Sequence, residues 1–161
     1  MEEQTTVKET NPEIAMKASL EYAETLTGEK KKVAWVQNIG QLIQLKDGVT
    51  YSAIDKDEEF MAKGKKKAEA IDVEVLFLHT NHKILREIAN SDKVYYWFIK
   101  YPEATAEVEG KPLVFSLKAN IDFAANSIED GELLKDTIRL FKKSNVVETD
   151  GYPVESDSTK Y

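Results

Sequence analysis

The sequence contains no cysteine. A disulfide scaffold, a thiolate zinc site, an iron–sulfur cluster and a thiol nucleophile are therefore all excluded. Glycine is scarce and widely spaced: the seven stand at 28, 40, 48, 64, 110, 131 and 151. A P-loop needs the spacing G-x-x-x-x-G and a dinucleotide-binding turn needs G-x-G-x-x-G, because the backbone must approach phosphate without a Cβ in the way. Neither spacing occurs, and no G-x-S-x-G nucleophile elbow is present. Long apolar runs are also missing. Uninterrupted apolar stretches are short, four residues at Val75 to Leu78 and six at Val94 to Ile99, whereas a membrane-spanning helix needs about 20. The opening Met1-Glu2-Glu3-Gln4-Thr5-Thr6 has neither the basic nor the apolar region of a secretory signal and is too acidic for a transit peptide. These absences set the expectation of a cytoplasmic protein.

The chain has 161 residues, with 22 Lys and Arg against 29 Asp and Glu, a net charge of −7. The charge is uneven. Residues 1–29 sum to −5, residues 30–118 to +2 and residues 119–161 to −4. At 42% hydrophobic and 32% charged, the chain is polar but has enough apolar residues for a core. The length suits a single domain. We expect an N-terminal arm over 1–11 without apolar periodicity, a domain over 12–145, and an acidic, flexible C-terminal tail over 146–161.

Local patterns predict the elements. Asn11-Pro12-Glu13 has the capping chemistry of a helix start, and Ile14, Ala18, Tyr22 and Leu26 recur every fourth residue up to Gly28, so a helix is predicted over 12–27. Residues 30–46 fit helix or strand; a helix or turn to Gly40, followed by a hairpin around Asp47-Gly48, is preferred. A helix over 57–70 follows from Asp55 as cap, early acids and late lysines. Residues 71–78 alternate and then turn continuously apolar, which reads as a strand. Thr80 or Asn81 caps a short helix to about Asn90. Lys93 to Tyr101 is the most strand-like stretch. A second hairpin turns at Gly110-Lys111, and a last helix opens at Ser127 with Leu134, Ile138 and Phe141 on its core face. The sum is an α+β fold: one compact domain, a mostly antiparallel sheet and about four helices.

The chemistry-bearing patterns are sparse. His79 and His82 would meet one metal if held at i and i+3 on a helix; a hydrogen-bonded or solvated pair is the ordinary reading and the preferred one. Glu107, Glu109 and Lys111 have the residue types of a magnesium-dependent nuclease, but Gly110-Lys111-Pro112 reads as a turn, and Glu29-Lys30-Lys31 repeats the pattern by chance. The acids Glu58-Glu59 suit a helix start. Two lysine clusters, Lys30-Lys31-Lys32 and Lys63 with Lys65, Lys66 and Lys67, accompany the aromatic strand Tyr95-Tyr96-Trp97-Phe98 with Tyr101. Lysines hold phosphates and exposed rings stack bases, so Lys63, Lys65, Lys66, Lys67, Tyr95, Trp97 and Tyr101 form the candidate binding surface. The alternative is a strand covered on both faces by core.

No catalytic, cofactor-binding or metal-ligating set emerges. The leading expectation is a non-catalytic protein-binding module, an inhibitor or regulator of a larger enzyme, similar in size and composition to small acidic phage inhibitors. A single-stranded nucleic-acid binder is the alternative, and an enzyme with a site assembled from scattered residues is the third reading. Another protein is the expected partner, with self-association compatible with the exposed strand edges.

Overall fold

The computed structural model describes residues 18–66 and 69–161. The arm 1–11, the first part of the predicted helix 12–27, and Lys67 lie outside the described residues. Ten strands and one α-helix follow in chain order: β1 (Ser19–Ala23), β2 (Lys31–Val33), β3 (Val36–Ile39), β4 (Lys46–Tyr51), β5 (Phe60–Lys66), β6 (Ile71–Leu76), α1 (His79–Ser91), β7 (Tyr95–Lys100), β8 (Leu113–Ala125), β9 (Lys135–Lys142) and β10 (Val147–Asp150). Two short 3₁₀ segments, Glu103–Thr105 and Glu155–Lys160, complete the described secondary structure.

Eight strands form one wholly antiparallel sheet in the order β2-β1-β7-β8-β9-β6-β3, with β10 added to β8. Its outer strands, β2 and β3, are consecutive in the chain and separated only by Ala34 and Trp35. The sheet therefore curls until its two ends come side by side, a barrel-like closure that limits exposed edges. The long β8 organises it. One edge pairs with β7; the other pairs with β9 over Ala119–Ala125 and with β10 over Leu113–Ser116.

The interior follows from alternation. In β6, Ile71, Val73 and Val75 are buried, while Asp72 and Glu74 face out and pair across to Arg139 (2.7 Å) and Lys135 (3.0 Å) of the neighbouring strand. β9 alternates likewise, with Asp136, Ile138 and Leu140 inside and Lys135, Thr137 and Arg139 turned outward. α1 closes one end of the barrel with Leu85 and Ile88 buried beneath it. Asn81, expected as a helix cap, instead donates its Nδ2 hydrogen to the Ala34 carbonyl (3.2 Å), and no side chain caps α1.

The expectation of about four helices is corrected. The predicted helix 12–27 is strand β1 over Ser19–Ala23, and the predicted last helix is strand β9. In the first, the apolar residues recur every fourth position, which is also every second residue counted twice; in the last, Leu134 and Ile138 stand four apart, but Phe141 falls on the opposite, exposed face of β9. Leu20 and Tyr22, and Ile138 and Leu140, show the period-two reading that wins. The predicted helix 57–70 is strand β5 over its described part. Its residues have helix propensity but no apolar stripe to dock, so a helix there would have no tertiary support. Asp47-Gly48 is not a turn but part of β4, where the missing Cβ lets Met61 of β5 lie close. The strands predicted at 71–78 and 93–101 and the helix at 80–90 correspond to β6, β7 and α1.

The segment after Asn145 adds β10 and then runs over the outer face of β7 and β8. The Tyr161 hydroxyl meets the buried Ser116 hydroxyl, and its ring stands edge-on to Tyr96 at 5.5 Å. Tyr152 donates its hydroxyl hydrogen to Glu21 (2.6 Å). Burial, followed by that hydrogen bond to a carboxylate, pushes the Tyr152 phenol well above its ordinary range. A folded-state pKa raised above the unfolded value of about 10 gives a contribution that is complete below pH ~10 and is lost as pH rises through the folded value. Titration followed at 295 nm should therefore show late-ionising phenols, Tyr152 alongside Tyr22 and Tyr161, which burial also raises. Stability should decline in the same alkaline window, and Tyr152→Phe should reduce that late amplitude by one phenol. Unchanged late ionisation in Tyr152→Phe would contradict this assignment.

Candidate interaction site

The lysines and aromatics that the sequence grouped together are separated in space. Lys63, Lys65 and Lys66 stand exposed on β5. Trp97 has no exposed surface: it lies in the barrel core, donates its indole hydrogen to the Ala119 carbonyl (3.2 Å) and packs against Tyr22 at 5.3 Å. Tyr95 and Tyr101, at opposite ends of β7, are half-buried. Tyr95 lines a cleft of about 390 Å³ beside α1, together with Glu24, Glu29 and Glu87. Tyr101 lines an apolar groove of about 480 Å³ with Val36, Ile39, Leu42 and Ile99. No base-stacking face combines these rings with the lysines.

The two histidines also part company. His79 opens α1 and is exposed. The His82 imidazole turns inward, with Nδ1 2.8 Å from the buried Asp136 carboxylate and its ring between Phe77 and Phe123, each about 5.0 Å away. Among the described residues, no group of three His, Asp or Glu side chains is placed to hold a metal. Glu107 and Glu109 are exposed around a turn at Gly110, whose φ is +79° and whose N–H bonds Glu103 at 2.9 Å. Among the described residues, no helix is long and apolar enough to cross a membrane.

Two other features stand out. The first is the β4–β5 hairpin, a separate two-stranded sheet. Every residue of β4 is exposed, and the hairpin carries Val49, Tyr51, Phe60 and Met61 as exposed large apolar side chains. Tyr51 and Phe60 pair across one face with ring centroids 5.8 Å apart, while Met61 and Lys63 fall on the other. An isolated two-stranded hairpin is marginal in water without a surface to cover it. At its base, Lys66 stands near Lys142, whose ammonium is shifted down first by burial and then by that like charge.

The second is the β2–β3 turn. Trp35 is 64% exposed and has φ +56°, a left-handed conformation that bulky residues rarely adopt. Three hydrogen bonds fix it beside its neighbours. The Leu76 N–H donates to the Trp35 carbonyl (3.0 Å), the Phe77 N–H to the Leu134 carbonyl (2.8 Å), and the Asn81 amide to Ala34. Phe77, Leu78, Leu133 and Leu134, gathered around these bonds, all expose apolar surface. Sequence reasoning assigned Leu134 to a helix core and gave Trp35 no role. An exposed tryptophan carries no local sequence signal.

No protein family matches the chain by sequence, and no curated protein matches it either. Solved structures do match in fold. A chain of the anti-feeding prophage baseplate, 6-fold symmetrised, superposes with a TM-score of 0.61 at 7% identity, over 91% of this chain and all of that one. A chain from the sheath/tube terminator of an extracellular contractile injection system in the extended state gives 0.64 at 11% identity, over 87% and 98%. A chain of the anti-feeding prophage tube-terminating cap gives 0.63 at 15% identity, over 90% and 95%. At these identities the likeness is one of fold, and it extends over nearly the whole chain.

Proposed function

We propose that this chain is a non-catalytic structural subunit that works by binding other protein chains, further copies of itself among them, in a phage-like contractile injection assembly. The observation that carries this reading is the β4–β5 hairpin, which exposes large apolar side chains on both faces and pairs with no other strand. Exposed apolar surface of this kind marks a protein–protein contact. The three fold neighbours named above, each a chain of a multi-protein injection assembly, support the same reading. Nothing in the geometry favours an inhibitor or regulator of an enzyme over a subunit of this kind.

The test is assembly of the purified protein, followed by sedimentation velocity and negative-stain microscopy over a range of concentrations. Concentration-dependent oligomers are expected. Replacing residues 46–66 by a short Gly-Ser turn should leave a monomer that keeps the near-ultraviolet signature of buried Trp97. A wild-type chain that stays monomeric up to millimolar concentration would overturn the reading.

A further inference from the structure

The barrel wall is open at one place. After Trp35 the chain continues from β2 into β3, which pairs with β6 along one edge. No described strand pairs with its other edge. That edge borders the apolar groove of about 480 Å³, whose far side is formed by Ile99, Tyr101 and Pro102 at the end of β7. Val36, Ile39, Leu42 and Tyr101 line the groove and are also the partly buried margin of the barrel core. The interior therefore reaches the surface between β3 and the end of β7.

The chain enters the sheet at this gap. Ala18 lines the groove and stands exposed, and β1 begins at the next residue. β1 pairs with β7 on one edge and antiparallel with β2 on the other. Because β3 follows β2, a β1 prolonged backwards through Ala18 runs antiparallel along the open edge of β3. The residues leading in carry the matching pattern. Ile14, Met16 and Ala18 have the parity of Leu20 and Tyr22, which are buried in the core, so in extended chain they fall on the core side. Glu13, Ala15 and Lys17 have the parity of Glu21, which turns the other way and meets Tyr152. Residues 14–17 span about 13 Å as a strand, and β3 likewise has four residues.

We propose that the groove is a strand-acceptor site and that residues 14–17 of the same chain seat in it, extending β1 backwards and adding a strand to the open edge of β3. Ile14 and Met16 cover Val36, Ile39 and Leu42, and the β3 amides and carbonyls that do not face β6 gain backbone partners. This is strand addition within one chain: backbone bonds hold the segment, and the groove takes its alternate side chains. Two observations choose this occupant over a strand from elsewhere. The segment is tethered to the groove through Ala18, which gives it a high effective concentration there, and its apolar residues alternate in phase with the core side of β1. Seating removes an edge that would otherwise be open to other chains. It needs no second copy, so it stands apart from the assembly reading above.

Amide exchange on the full chain tests this with two double variants. Ile14→Asn with Met16→Asn alters the core-side positions, and Ala15→Asn with Lys17→Asn alters the opposite ones. In the wild type, the β3 amides that do not bond to β6 should exchange slowly. The first variant should speed them by at least about tenfold, because burying one large apolar side chain is worth more than that factor. The second should leave them within about twofold of the wild type. Both should keep the near-ultraviolet signature of buried Trp97, which shows that the barrel persists. A helix over the same residues would set positions 14 and 16 on different faces and give no such contrast. Fast exchange of these β3 amides in the wild type, or equal effects of the two variants, would overturn the proposal. Protection that disappears on dilution would assign the strand to a second copy and overturn seating within the chain.

Discussion

Replacing Trp97 by alanine should destabilise the fold by about 3–5 kcal/mol, the range for emptying a large aromatic side chain from a core. Against a total of about 5–15 kcal/mol for a domain, that change should remove between roughly a fifth and nearly all of the stability. The reasons are local and additive in direction. Trp97 is fully buried at the middle of β7, where its ring fills the barrel between β1 and β8. Its indole also satisfies the Ala119 carbonyl, which a truncated side chain would leave without that partner. Trp97→Phe keeps most of the volume but loses the hydrogen bond, so it should cost clearly less. Urea unfolding followed by far-ultraviolet circular dichroism checks both variants. A loss below about 1 kcal/mol for the alanine variant would mean that the ring does not pack in the core.

His82→Ala should cost about 2 kcal/mol, within the range for leaving a buried polar group without its hydrogen-bond partner. Asp136 is only 3% exposed and its carboxylate meets the His82 imidazole at 2.8 Å. Removing the imidazole leaves a buried carboxylate without that partner and opens a gap between Phe77 and Phe123. The pair joins the first turn of α1 to β9, so amide exchange in the helix should speed up as well. The double variant His82→Ala with Asp136→Ala should lose less than the sum of the single changes, since no unpartnered buried polar group remains. If the two single changes simply added, with no recovery in the double variant, the pairing would carry no energy.

These two predictions also mark what could and could not be read from the residues. β6 and β7 were legible because Ile71-Asp72-Val73-Glu74-Val75 alternates cleanly and Tyr95 to Ile99 is rich in aromatic and β-branched side chains. α1 was legible because Ile84, Leu85 and Ile88 fall on one helical face. β1 was not, since an i, i+4 apolar spacing satisfies a strand and a helix equally, and β9 was not, since Leu134, Ile138 and Phe141 share one helical face although in the strand Phe141 turns outward. The choice was made by neighbours far away in the chain: β1 pairs with β7 and β9 with β8 and β6. β5 was misread for a different reason. Its composition favours a helix, and only pairing with β4 gives its backbone groups partners in extended form.

The candidate surface was legible only in part. The Lys63, Lys65 and Lys66 cluster is exposed, as a charged run with no apolar periodicity should be. Joining it to Tyr95, Trp97 and Tyr101 failed because side-chain type does not say which face of a strand is covered. Trp97 went to the core, and the exposed tryptophan proved to be Trp35, held at an unusual backbone angle by a turn that closes the barrel.

The sequence by itself determined the exclusions: without cysteine and with glycines this far apart, thiol chemistry and the glycine-rich phosphate-binding loops have no atoms to work with. It also determined the uneven charge and the two strands with the clearest patterns. Tertiary structure decided the rest. Long-range pairing set the number of strands, and barrel closure brought Trp35 beside Leu76 and Leu134. The same closure placed the β4–β5 hairpin and the acidic 129–134 loop at opposite ends of β6 and β9. Contacts between residues distant in sequence have no local signature, so only the folded chain could place them.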